Sequence, residues 1–216
     1  MKYFLKTVVV GELYTNCYIL VDKNSLEGVV IDPGDEFDKI FNVIQKSKIN
    51  IKYIINTHAH FDHIGADKEL KNKTKADLLI HKEDYNIFKD SLKSLSEFKG
   101  INLIVEPDRF LKEGDAINVG ELSLKIIHTP GHTPGGISIK CEDIIFCGDS
   151  LFKDGIGRTD IPFASYNVLM NSIKNKLLIL PEDTKVYPGH GEPTTIGEEK
   201  KNNPYLDSWI FIELVV

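Results

Sequence analysis

Cysteine is scarce in this 216-residue chain, which has three: Cys17, Cys141 and Cys147. A small, odd number excludes a disulfide framework and fits reduced thiols in a cytoplasmic setting. Long apolar runs are missing too: nothing approaches the roughly 18 uninterrupted apolar residues that a membrane-spanning helix needs. The apolar N-terminal stretch is split at Lys6 and closed by Gly11-Glu12, with no small-residue cleavage site after it, so no export signal is expected. Excess positive charge is also lacking. Against 32 acidic residues stand 26 basic ones, a net charge of −6, which speaks against a nucleic-acid or anionic-membrane scaffold. Repeats, low-complexity tracts and a Pro/Gly/Ser-rich linker are absent, and one domain over residues 1–216 is expected. The remaining composition, 42% hydrophobic and 27% charged, is that of a soluble globular protein.

Short runs rich in Val, Ile and Tyr predict strands at 3–10, 16–22, 27–32, 51–56, 77–80, 101–105, 116–119, 122–128, 136–140, 143–147 and 185–187. Phe37, Ile40, Phe41 and Ile44 fall at helical spacing and predict a helix over 36–47. Further helices are expected over 64–72, 82–98, 165–179 and 197–203. Runs of strands with helices between them imply an α+β fold of packed sheets covered by helices.

Of the seven histidines, three lie within six residues, in Thr57-His58-Ala59-His60-Phe61-Asp62-His63, directly after an apolar strand. Imidazole and carboxylate are the common ligands of zinc and related divalent ions. Three more segments place His or Asp beside Gly or Pro at a strand end: His128-Thr129-Pro130-Gly131-His132, Cys147-Gly148-Asp149-Ser150 and Pro188-Gly189-His190-Gly191. Gly and Pro let the backbone turn sharply there and approach a small centre. His132, inside its Gly/Pro loop, is favoured as a ligand over His128, which ends the strand. His81 reads as a helix cap or a group behind the site, Asp32 as a turn former or a support for a ligand, and the cysteines as structural.

The order His-x-His-x-Asp-His, then His132, Asp149 and His190, resembles the metallo-β-lactamase superfamily, over about residues 12–206. Gly148-Asp149-Ser150 with Gly155-Ile156-Gly157-Arg158-Thr159-Asp160, and Pro188-Gly189-His190-Gly191 with Asn203-Pro204, resemble the short glyoxalase II-like hydrolases and the persulfide dioxygenases. The resemblance implies an αββα sandwich of two packed mixed sheets flanked by helices. It implies two divalent metal ions, zinc being the expected one and iron or manganese the alternatives. His58, His60 and His132 would hold the first ion, Asp62, His63 and His190 the second, and Asp149 would bridge them. Two ions about 3.5–4 Å apart generate a hydroxide near neutral pH and polarise a carbonyl.

The expected activity is therefore hydrolysis of a small-molecule thioester such as S-lactoylglutathione, by attack of a metal-bridging hydroxide, with Asp62 and Asp149 as the catalytic carboxylates. A thiolate whose conjugate thiol has a pKa of about 8.5 leaves without a dedicated proton donor. Arg158 matches the basic residue that takes the glutathione carboxylate in glyoxalase II. Two features depart from that family: Asp160 stands where it has a tyrosine, and no C-terminal glutathione-binding helical domain is expected, because the chain runs only to Val216 after His190. The alternatives are a mononuclear iron persulfide dioxygenase, a lactone hydrolase and a non-catalytic module stapled by metal. A β-lactamase is disfavoured because it usually lacks a bridging Asp149, and an RNA-cleaving relative because of the net charge. The apolar tail Leu206–Val216 is expected to pack on the domain or to meet a second subunit, giving a homo-oligomer.

Overall fold

A computed structural model of the protein describes residues 1–89 and 105–206. The first sheet is built from β1 (Tyr3–Val10), β2 (Thr15–Asp22), β3 (Glu27–Ile31), β4 (Asn50–Ile55), β5 (Asp77–His81) and β6 (Arg109–Leu111), in that order. β1 to β3 pair antiparallel and β3 to β6 parallel. The second sheet has the order β14 (Thr194–Thr195), β13 (Lys185–Pro188), β10 (Ile144–Gly148), β9 (Ile137–Cys141), β8 (Leu122–His128) and β7 (Ala116–Val119). Its β10–β13 pair is parallel and the others antiparallel. A small hairpin, β11 (Leu151–Phe152) with β12 (Gly155–Ile156), follows β10. This is the expected αββα arrangement of two mixed sheets flanked by helices.

Strand periodicity explains the layers. In β2, Tyr18 and Leu20 turn inward to meet Phe146, Ile139 and Leu124 of the other sheet. Cys17, Ile19 and Val21 turn outward, against Ile40 and Ile44 of α1 (Phe37–Lys46) and Leu70 of α3 (Asp67–Thr74). In β10, Ile144 and Phe146 face inward. Ile145 and Cys147 face α5 (Tyr166–Ser172) and α6 (Ile196–Asn202). Burying each such aliphatic side chain stabilises the fold by roughly 1.5–3 kcal/mol, so both faces of both sheets require residues at the period of two.

Several expected boundaries differ. The helix over 64–72 is two pieces, α2 (Phe61–Ile64) and α3, separated at Gly65-Ala66. The helical path is left at Ala66 (φ −101°, ψ 4°), whose N–H donates to Pro33 O at 2.8 Å instead of continuing the helix, and a Cβ on Gly65 would lie 2.1 Å from the Gly34 carbonyl oxygen. The helix over 82–98 begins as a 3₁₀ turn (Lys82–Asp84) followed by α4 (Tyr85–Phe88), and its remainder lies outside the described residues. So do nearly all of the strand over 101–105 and the tail beyond Leu206, while Val105 itself is not in a strand. The helix over 165–179 loosens after Ser172 into one wider turn, in which Leu178 N–H donates to Ile173 O at 2.9 Å. β6, β11, β12 and β14 carry too few residues to show a period. No helix among the described residues is long and apolar enough to cross a membrane.

β3 and β4 run parallel, as do β8, β10 and β13. The loops after their carboxyl ends gather at one rim of the sandwich, and these are the loops that carry the histidines and aspartates.

Candidate metal centre

β4 ends at Ile55, and the chain turns through His58, Ala59 and His60 into α2, which carries Asp62 and His63. His132 sits in the loop between β8 and β9, Asp149 directly after β10, and His190 directly after β13. All seven come together. The donor atoms of His58, His60 and His132 lie within 4.8 Å of one another, and so do those of Asp62, His63 and His190. Asp149 reaches both groups: Oδ1 lies 3.5 Å from His63 Nε2, and Oδ2 lies 3.6 Å from both His132 Nε2 and His190 Nε2.

Four of the five rings have Nδ1 secured from behind. Nδ1–H of His63 donates to Asp32 Oδ2 at 2.9 Å, that of His132 to Arg158 O at 2.9 Å, and that of His190 to Leu13 O at 3.0 Å. His58 Nδ1 lies 3.1 Å from Thr57 Oγ1. These four therefore present Nε2 to the centre. His60 is turned the other way, its Nδ1 2.9 Å from His132 Nε2. Such outer partners hold ring orientation and tautomer in metal sites.

Two observations test whether a metal fits. His58 Nε2 and Asp149 Oδ1 are buried and have no hydrogen-bond partner, and an orphaned buried polar atom is costly unless something unseen satisfies it. The cluster's electrostatics also suit a cation. Burial first, then neighbouring rings, push His58 well below its ordinary pKa, and burial with His132 lowers His60 to about 3, so both are neutral with lone pairs free. Burial would lower His63 and raise Asp62. Instead Asp62, Asp149 and Asp32 raise His63 to about 10, and His63, His190 and Thr15 hold Asp62 below the usual carboxylate range. The negative charge that favours a cationic His63 is the charge a divalent ion would answer. Five imidazoles and two carboxylates suit zinc, iron or manganese.

The residues that fix these loops were only partly visible in the sequence. Asp32 supports a candidate ligand: besides His63 it accepts from Thr57 N–H at 2.7 Å and Thr57 Oγ1 at 2.6 Å. Asn16 was missed. Its amide donates to Pro188 O at 3.1 Å and Gly191 O at 2.9 Å, on either side of His190. Asp84 was missed too. It is buried, accepts from Ala59 N–H, Thr133 Oγ1 and Gly135 N–H, and burial raises it to about 6 against those bonds. Nothing separates Asp84 from a solvated turn residue in the run Lys82-Glu83-Asp84.

The other candidates lie outside the cluster. His128 donates from Nε2 to Pro134 O at 2.8 Å and stacks on His81 with ring centroids 4.1 Å apart. His81 caps the turn after β5, its Nδ1 accepting from Glu83 N–H at 3.3 Å. All three cysteines are free and buried. Arg158 is exposed, and its guanidinium donates to both carboxylate oxygens of Asp160, at 2.9 and 3.0 Å.

Residues 10–190 match the family described as the metallo-beta-lactamase superfamily. A probable metallo-hydrolase, YqgX of Bacillus subtilis, is 38% identical over 93% of this chain and 96% of its own length. The hydroxyacylglutathione hydrolase GloC of Haemophilus influenzae is 37% identical over 94% and 98%. Among solved structures, the BLEG-1 B3 metallo-beta-lactamase has a TM-score of 0.89 at 34% identity, covering 94% of this chain and 99% of its own. TTHA1623 in a di-iron-bound form has 0.84 at 35%, covering 93% and 100%. ETHE1 from Myxococcus xanthus has 0.81 at 28%, covering 99% and 92%. The two His/Asp groups fit the superfamily's two-metal site, and with a family match over most of its length this chain belongs to the metallo-β-lactamase superfamily.

Proposed function

We propose that the protein is a metal-dependent hydrolase of thioesters, with S-lactoylglutathione as the first substrate to test. The observation that carries this reading is the convergence of seven donors on one rim, with His58 Nε2 and Asp149 Oδ1 buried and unpartnered. Divalent ions held there would supply activated water near neutral pH and polarise a carbonyl. The chain's own residues do the rest. Asp149 spans the two groups, Thr15 Oγ1 donates to Asp62 Oδ2 at 3.0 Å, and Asp32 fixes His63. His58 and His63 are buried, whereas the His190 side chain is 28% exposed, so substrate approaches from the His190 side. The exposed Leu13 and Tyr14 belong to the turn whose Leu13 carbonyl secures His190, and the Phe152 and His190 ring centroids lie 6.2 Å apart.

A thioester is favoured because its leaving thiolate needs no proton donor, and because a relative of nearly equal length is named a hydroxyacylglutathione hydrolase. The test is turnover of S-D-lactoylglutathione by zinc-loaded protein, followed as loss of thioester absorbance. Hydrolysis that stops on chelation is expected, and a β-lactam serves as the control substrate. Absence of turnover by protein with both ions bound would sink the glutathione thioester. The second reading, oxidation of a persulfide by a form holding one iron, draws on the ETHE1 neighbour; it predicts O₂ consumption.

Arg158 bears on which thiol is accepted. Asp160 occupies its guanidinium fork, so a substrate carboxylate must compete with an internal one. Asp160→Asn frees the fork, and KM for S-lactoylglutathione is expected to fall about two- to fivefold with kcat unchanged, the scale of a surface ion pair. An unchanged KM would remove Arg158 from the substrate site.

A further inference from the structure

The donors of the first group come from two different sheets: His58 and His60 follow β4 of the first, and His132 lies between β8 and β9 of the second. Their loops meet at two places. At the far end, Ile137 N–H donates to Thr57 O at 2.8 Å. At the near end stands Asp84, fully buried at the close of the turn after β5. Its Oδ2 accepts from Ala59 N–H, between His58 and His60, at 3.0 Å, and from Thr133 Oγ1, next to His132, at 2.8 Å. Its Oδ1 accepts from Gly135 N–H. The loop lies so close over this carboxylate that a Cβ on Gly135 would sit 2.4 Å from Asp84 N and 2.7 Å from Oδ1.

We infer that Asp84 is the positioning residue of the first metal group, a three-bonded clamp that holds the His58/His60 turn and the His132 loop at ligand spacing before any ion arrives. The second group does not depend on it: Asp62, His63 and His190 are held by Thr15, Asp32, Leu13 and Asn16. Loss of the clamp therefore weakens one ion and spares the other, an asymmetry that a general loss of stability would not produce. Asparagine at this place keeps the shape but turns an amide N–H₂ toward groups that are themselves donors.

The inference rests on the two-ion reading above, and its test separates the two. Metal-stripped full-length protein is titrated with zinc against a chelating indicator, as wild type, His60→Ala, His190→Ala, Asp84→Asn and each double variant. Wild type is expected to take two ions. In the His190→Ala background, Asp84→Asn should weaken the remaining site about 10–100-fold, the usual scale for an outer partner of a metal ligand. In the His60→Ala background it should change affinity less than about threefold, below that range. Gly135→Ala and Thr133→Val, which disturb the same clamp by other routes, should act in the same direction and stand in if Asp84→Asn does not fold. Equal weakening in both backgrounds, or none in either, overturns the inference. Wild-type protein that takes up no ion, or single ligand variants that bind as wild type does, overturns the two-ion reading instead.

Discussion

Replacing His58 with alanine is expected to lower chelator-sensitive thioester turnover by about a thousandfold or more, equivalent to ~4 kcal/mol of lost transition-state stabilisation. His58 belongs to both the His58/His60/His132 group and the His58/His63/Asp149 group, so one deletion strips a donor from the centre of the whole cluster. Its Nε2 has no other partner to lose. On the opposite side of the ring, Thr57 Oγ1 keeps its 2.6 Å bond to Asp32 Oδ2. The variant therefore gains no buried orphan and should remain folded, with an unchanged far-ultraviolet circular dichroism spectrum. Steady-state turnover and metal content, measured on the same preparation, check this. Activity that survives with the spectrum intact would rule out hydrolysis by this centre.

Gly34→Ala is expected to be the most damaging small substitution for folding. A Cβ at this position would stand 1.6 Å from the Asp62 carbonyl oxygen and 2.6 Å from its carbon, both of them backbone atoms that no rotamer change can move. The approach is reciprocal, because Gly65 faces the Gly34 carbonyl, and Ala66 N–H donates to Pro33 O at 2.8 Å. Alanine must therefore push α2, with Asp62 and His63, away from the turn after β3. A loss of about 3 kcal/mol or more follows, at the upper end for overpacking because backbone and not a side chain is displaced. Gly155→Ala is the control, since its nearest neighbour is an ordinary 3.7 Å away; it should change stability by less than ~0.5 kcal/mol. Denaturant midpoints of the metal-free proteins decide the matter. Equal midpoints for the two variants would mean that the contact between α2 and the Pro33-Gly34 turn is far softer than its geometry.

Much of the centre was legible before any tertiary contact, and for a local reason. His58, His60, Asp62 and His63 lie within one turn and a short helix, so their spacing alone brings four donors together. The longer strands of both sheets were legible because each must satisfy two faces at a period of two, and β-branched residues do so. Gly and Pro beside His132, Asp149 and His190 marked where the chain turns at a strand end. The sequence by itself thus determined the layers, the candidate donor set and the family.

The tertiary structure alone decided how the donors meet and what holds them. His132, Asp149 and His190 share a centre because β8, β10 and β13 run parallel in one sheet, whose rim adjoins the end of β4 in the other. Asn16 braces His190 across 172 residues of chain and Asp84 reaches Gly135 across 51, separations over which no periodic signal runs. The split between α2 and α3 depends on the Pro33 carbonyl, after β3, taking the Ala66 N–H. Periodicity and turn chemistry act over a few residues. Which loops face one another, and which buried carboxylate bolts them, follows from the pairing of strands distant in sequence, and that is set only when the two sheets close on a common core.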